Sequence, residues 1–189
     1  MIPDTVVLDI ETKNSFADVG GRDRIDRLEV SLVGVYSYNE GRYLAFKDTE
    51  LANLETFLKN AGLIIGFSIN RFDIPVLAKH FKFDLWKINR LDLLDEIETS
   101  AGQRIGLDLL AQANLGVGKT NHGLEAIKFY KEGRWKELEE YCLNDVKITK
   151  DLYELAKSRG HLIVPERNTG NRLEVKLAFS EFIFPQTLF

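Results

Sequence analysis

Val6-Val7-Leu8-Asp9-Ile10-Glu11-Thr12 is an apolar run that ends in two carboxylates two residues apart. In a β-strand successive side chains alternate faces, so Asp9 and Glu11 point one way while Leu8 and Ile10 point the other. Carboxylate oxygens aimed to one side suit a hard cation such as Mg²⁺ or Mn²⁺. Two acids at a strand end also often just face water. The apolar run before them points to a central strand covered on both faces, a rigid mount for either role. The rest of the chain has to decide.

Around this first strand, Asp4 to Ile10, the pattern builds a sheet. Thr12 to Leu28 is polar, carries Gly20-Gly21, and reads as a loop directly after the carboxylates. Val30 to Tyr38 and Tyr43 to Lys47 read as strands joined by the turn Asn39-Glu40-Gly41-Arg42, so the sheet begins antiparallel. Leu51 to Leu58 has helical spacing, with Asp48 or Thr49 as its cap, and Leu63 to Phe67 is a short apolar strand. A strand, helix, strand order implies a right-handed crossover and a parallel pairing. The expected fold class is therefore α/β, with a mixed sheet flanked by helices.

Asn70-Arg71-Phe72-Asp73 follows, and Pro75, Val76, Leu77, His80 and Phe81 carry a helix onward. Asp73 near that helix start is either a cap or a further acid for a site. Ile88 to Leu94 reads as the last strand of the sheet, with Asp92 a further acid or an edge residue. Leu107 to Leu115, Leu124 to Tyr130 and Trp135 to Lys157 carry apolar residues at helical spacing. In the last of these, Tyr141 and Asp145 are four apart and share a face close to Leu138 and Ile148, so the acid lies toward the protein. Such an acid needs a partner, whether a salt bridge or a metal.

With 189 residues and 44% hydrophobic content, the chain fits one domain over 1–189, with 160–189 as a C-terminal extension. Strand-like Leu162-Ile163-Val164 and Leu173 to Phe179 predict a hairpin there, and Phe179 to Phe189 an apolar end for core docking or a partner. No apolar run approaches the roughly 20 residues a membrane span needs, and the N-terminus lacks signal-peptide regions, so a cytoplasmic location is expected. A single cysteine, Cys142, and three histidines leave oxygen to hold any metal. His122 and His161 stand at no ligand spacing from another His or Cys. Ala113 to Thr120 misses a phosphate-binding P-loop by its first glycine and follows a helical stretch where a strand belongs. The basic stretches Lys79 to Arg90 and Lys119 to Lys136 read as solvated helix faces that could also meet phosphates.

Taken together, Leu8-Asp9-Ile10-Glu11-Thr12, Asn70-Arg71-Phe72-Asp73 and Tyr141-x-x-x-Asp145 resemble the three motifs of the DEDD superfamily of 3′–5′ exonucleases. That family is DnaQ-like, with the ribonuclease H-like fold. The tyrosine is similar to the DEDDy branch, and the chain looks most like the proofreading exonuclease domain of family B DNA polymerases. The resemblance covers Asp4 to about Lys157 and lacks none of the acids. It implies catalytic residues Asp9, Glu11, Asp73, Tyr141 and Asp145, with the four acids holding two divalent cations, Mg²⁺ or Mn²⁺. It further implies that Tyr141 orients the attacking water, and that the substrate is a single-stranded nucleic acid, DNA ahead of RNA. Thr12, Phe16, Asn70, Phe72, Lys119 and His122 are the expected strand contacts, and Phe67 is a further candidate for stacking on a base. An exoribonuclease and a non-catalytic nucleic-acid-binding module with this fold are the alternatives.

Overall fold

The run quoted above forms β1 (Asp4–Thr12), which extends past Ile10 so that both acids lie within the strand. The computed structural model, which describes residues 2–118, 123–166, 169 and 171–177, builds a five-stranded sheet around it. Its other strands are β2 (Val30–Ser37), β3 (Arg42–Lys47), β4 (Ala61–Gly66) and β5 (Asn89–Asp92). The order β3-β2-β1-β4-β5 puts β1 in the centre. β2 pairs antiparallel with β1 and β3, whereas β4 pairs parallel with β1 and β5. This is the mixed α/β sheet that the strand, helix, strand order implies.

The helices are α1 (Phe16–Val19), α2 (Leu51–Leu58), α3 (Asp73–Ala78), α4 (Leu93–Ala101), α5 (Leu107–Leu115), α6 (Gly123–Lys131) and α7 (Trp135–Arg159). They cover both faces. Val6, Leu8 and Ile10 pack with Leu54, Leu58, Ile74 and Leu77 of α2 and α3. Val7 and Ile65 pack on the opposite face with Leu93 and Ile97 of α4, Leu110 of α5 and Val146 and Leu152 of α7. The period of two along β1 therefore sends Asp9 and Glu11 to the face that α7 covers.

One glycine sets how closely α7 approaches. Gly34 of β2 pairs with Asp9, and a Cβ there would stand 2.9 Å from Cys142 Sγ and 3.0 Å from Val146 Cγ2. Only a residue without a side chain lets the helix lie this near the acid-bearing strand.

Three stretches differ from expectation. The segment after β1 is not a plain loop: Ser15 and Asp18 form a reciprocal capping box that starts α1, and a 3₁₀ turn follows over Arg22–Arg27. The strand expected over Ile88 to Leu94 ends at Asp92, whose carboxylate accepts the N–H groups of Leu94 and Asp95 and so starts α4. The helix expected to run through Phe81 stops at Ala78.

The tail forms an antiparallel hairpin of β6 (His161–Pro165) and β7 (Arg172–Lys176), which buries Leu162, Val164 and Val175 in the α7-side core. Asn114 of α5 clamps it, donating to the Ile163 carbonyl and accepting from the Ile163 N–H, both at 2.7 Å. The apolar end from Phe179 to Phe189 lies outside the described residues. Leu107–Leu115 is helical, so Ala113 to Thr120 lacks the strand that a P-loop follows. No described helix is long and apolar enough to cross a membrane.

Candidate active site

Asp9 and Glu11 stand side by side on β1, and their carboxylate oxygens and Cys142 Sγ all lie within 4.8 Å of one another. α7 adds two groups from above. Its buried stripe of Leu138, Cys142, Val146 and Thr149 packs inward, and Tyr141 and Asp145 stand one position before Cys142 and Val146, at the edge of that stripe. The Cys142 thiol donates weakly to the Asp9 carbonyl at 3.6 Å and to its carboxylate at 3.8 Å, which ties helix to strand at the site.

Asp73 comes from the other side of the sheet end. The β1–β4 ladder runs only to Val7 and Ile65, and past it the Ile10 N–H donates to Asp73 Oδ1 at 3.0 Å. The third acid is thus bonded to the backbone between the first two. It is the first residue of α3, and its carboxylate also accepts its own backbone N–H, so Asp73 serves the helix start and the acid cluster together. The connection that delivers it is tightly folded: a Cβ on Gly66 would stand 2.0 Å from Ile69 Cγ2, and Ser68 has φ 66°. Asp92 fixes this turn by accepting the N–H groups of Ser68 at 2.8 Å and Asn70 at 3.0 Å.

These elements enclose a cleft of about 410 Å³ lined by Asp9, Glu11, Asp73, Asp145 and Tyr141, with Phe16, Phe67 and Phe72, and with Arg22, Arg71 and Arg104. The acids act on one another. Burial, then Asp73, Asp145 and Glu11, raise the Asp9 carboxyl well above the usual carboxylate range. Burial, then Asp145 and Asp73, do the same to Glu11. Asp73 is pushed up to about 8, chiefly by burial and against the backbone bonds that lower it. Burial, Asp145, Glu11 and Asp9 hold the Tyr141 hydroxyl protonated far above its ordinary range.

Crowded acids of this kind fit divalent cations. No lysine or arginine pairs with Asp9, Glu11 or Asp73 among the described residues; the Cys142 thiol on Asp9 and the backbone N–H groups on Asp73 offset only part of their burial and repulsion. The donors are oxygens, as Mg²⁺ and Mn²⁺ prefer. Cys142 is close, but burial keeps its thiol protonated and it serves Asp9 as a donor.

Of the residues singled out in the sequence, the four acids, Tyr141, Phe16, Phe67 and Phe72 meet in this cleft, with Phe16 and Phe72 edge to face at 5.8 Å. Two others lie elsewhere. Thr12 is buried and its hydroxyl donates to the Asn14 carbonyl at 2.8 Å. Asn70 uses its amide on Arg90 and Asp95, both at 2.9 Å. Lys119 and His122 lie outside the described residues. The described members of the two basic stretches do not line the cleft; Lys79 bonds the carbonyls of Asp26 and Leu28, and Lys128, Arg134 and Lys136 pair with nearby glutamates. The reading missed Arg22, Ile25, Ser68, Arg71 and Arg104. Arg71 was within reach, since it stands between Asn70 and the Phe72-Asp73 pair; Arg22 and Arg104 sit in polar stretches with no local signature.

A mixed sheet with paired acids on its central strand, completed by an acid from a helix laid across it, defines a ribonuclease H-like protein. The RNase H superfamily model matches residues 6–157, and the chain belongs to that superfamily. Among solved structures it is similar to the family B DNA polymerase from the hyperthermophilic archaeon Pyrobaculum calidifontis, with a TM-score of 0.63 and 20% identity. The match covers 82% of this chain and 24% of the polymerase chain, so this chain spans about a quarter of that protein. No curated protein matches it by sequence. The family supports a nuclease-class hydrolase that acts on nucleic acid with divalent metal.

Proposed function

We propose that the chain is a DEDDy-type, DnaQ-like 3′–5′ exonuclease that removes nucleotides from single-stranded DNA 3′ ends with two divalent cations. The observation that carries this reading is the convergence of Asp9, Glu11, Asp73, Asp145 and Tyr141 on one cleft from three separate elements. Asp9, Glu11 and Asp145 would hold one ion, and Asp73 with Asp9 the other. When bound, the ions supply Lewis-acid activation of a water and stabilisation of the leaving 3′ oxygen.

The protein's own groups do the positioning. Tyr141, kept protonated by burial and then by its carboxylate neighbours, is a donor and not a base, so it orients a water or a phosphate oxygen through its O–H. Phe72 and Phe16 give the terminal base an apolar face to stack on. In the reaction a water oxygen bonds to the terminal phosphorus, the bond from phosphorus to the 3′ oxygen breaks, and that oxygen takes up a proton. The products are a nucleoside 5′-monophosphate and a strand one nucleotide shorter with a 3′-hydroxyl.

The test is digestion of a 5′-labelled single-stranded DNA oligomer, with a matched RNA beside it, in Mn²⁺, Mg²⁺ or EDTA. The expected result is a metal-dependent ladder that shortens from the 3′ end and is stronger on DNA. A ladder on RNA alone would replace the substrate with RNA. Intact oligomers in every lane, from folded protein, would leave a binding module.

A further inference from the structure

The cleft carries arginines that the proposed chemistry does not use, and two of them share one carboxylate. Arg71 Nη2 lies 2.7 Å from Glu98 Oε2 and 3.3 Å from Asp95 Oδ1, and Arg104 Nε lies 4.0 Å from the same Glu98 oxygen. Asp95 and Glu98 are three apart on α4 and face the same side. The mount is rigid. Asp92 caps α4 and also holds the Ser68 and Asn70 N–H groups, and the Asn70 amide donates to Asp95. One network thus sets both Arg71 and the acids that hold it.

Such exposed pairs contribute only about 0–1 kcal/mol of stability, so stability is a weak reason for the arrangement. Orientation is a better one. A guanidinium has five N–H donors in a planar fork, and the closest carboxylate contacts here engage Nη2 of Arg71 and Nε of Arg104. The side chains stay 46% and 43% exposed while both line the cleft. A guanidinium drawn by its charge toward Glu98 and still partly open to solvent is prepared for a phosphate. The ion pairs of both arginines run to α4, and no described lysine or arginine pairs with Asp9, Glu11 or Asp73.

We propose that Arg71 and Arg104, both drawn toward Glu98, clamp a non-scissile phosphate of the bound strand, so that the site selects an oligonucleotide over an isolated nucleotide ester. The proposal rests on the cleft being a nuclease site. It makes the two arginines specificity residues, set apart from the acids that act at the scissile bond.

Two substrates separate these roles: an oligodeoxythymidylate of about a dozen nucleotides, and thymidine 5′-(p-nitrophenyl phosphate), whose single phosphodiester has no neighbouring phosphate. For Arg71→Ala/Arg104→Ala, the oligomer-to-ester ratio of kcat/KM should fall about tenfold or more, with the loss on the oligomer expressed in KM. Arg71→Lys/Arg104→Lys keeps the charge but not the fork, and should recover only part of the ratio. Binding of the labelled oligomer in Ca²⁺ across a KCl series gives a readout independent of turnover: the double alanine variant should flatten the log–log salt slope by about 1.4, roughly 0.7 per lost contact. Equal losses on both substrates, or an unchanged slope, would overturn the clamp. If the unsubstituted protein cleaves neither substrate yet binds the oligomer with an arginine-dependent slope, the nuclease reading fails and the substrate-selecting role falls with it, leaving a phosphate contact. If it does not bind the oligomer, the clamp falls.

Discussion

Asp73 is 3% exposed, and its carboxyl is pushed up to about 8 because burial outweighs the backbone N–H bonds it accepts. An acid in that setting destabilises the empty site and becomes useful only beside a cation. The same holds for Asp9, which feels Asp73, Asp145 and Glu11 together. Asp9→Ala and Asp145→Ala should therefore cost more than about 100-fold in exonuclease rate while leaving Tm unchanged or raised, since each removes a charge from a crowded group. A sharp drop in Tm with unchanged cleavage would contradict the assignment. Tyr141 is a different case. It is held protonated by burial and by its acidic neighbours, so Tyr141→Phe removes a donor and leaves the ligand oxygens in place. The expected loss is about 10–100-fold in kcat with the metal-concentration dependence of the rate retained; a variant that no longer responds to added Mn²⁺ would refute the positioning role.

Elements place these residues by simple periodicities. β1 sets Asp9 and Glu11 on one face because a strand repeats every two residues, and α7 sets Tyr141 and Asp145 on one side because a helix brings residues four apart together. Both relations are visible in the chain before it folds. The spacing between the two elements is not, because it depends on Gly34, whose missing side chain admits Cys142 and Val146. Gly34→Ala should destabilise by about 1–3 kcal/mol through overpacking and push α7 outward. Chemical denaturation would measure the first effect, and the second should appear as a larger fall in cleavage than in folded fraction. Full activity at full stability would show that α7 approaches the strand by other means.

Across the whole molecule the sheet and its two helical layers hold acids from opposite sides of β1 in one place, and the cost is electrostatic. Asp9, Glu11 and Asp73 all have folded-state carboxyls raised above their unfolded values, so the folded chain retains protons that the unfolded chain releases. Their contribution to stability is consequently lost as pH rises from the ordinary carboxylate range near 4 toward the value of about 8 at Asp73. In EDTA, Tm should fall between about pH 5 and pH 8, and saturating Mn²⁺ should raise Tm more at the higher pH, where the bound ion replaces more charge repulsion. A Tm shift with Mn²⁺ that is the same at both values, or absent, would argue against a cation among these acids.

Legibility followed the range of the interaction. Local signals carried far: the alternation in Val6 to Glu11, the turn at Asn39 to Arg42 and the strand, helix, strand order after it were enough to expect a mixed sheet with a central acid-bearing strand, while the joining of Asp73 and Asp145 to Asp9 and Glu11 was expected from the resemblance of the three motifs. What did not show was any role set by a distant partner. Asp92 reads as a further acid or an edge residue in its own segment, but in the fold it caps α4 and pins the turn before Asp73. Asn70 sits in a motif yet spends its amide on Arg90 and Asp95. Arg71 and Arg104 are far apart in the chain and are joined only because Glu98 stands between them. Backbone periodicity acts over a few residues and is written in their order, whereas a side chain's hydrogen-bond partner depends on which elements packing brings alongside it.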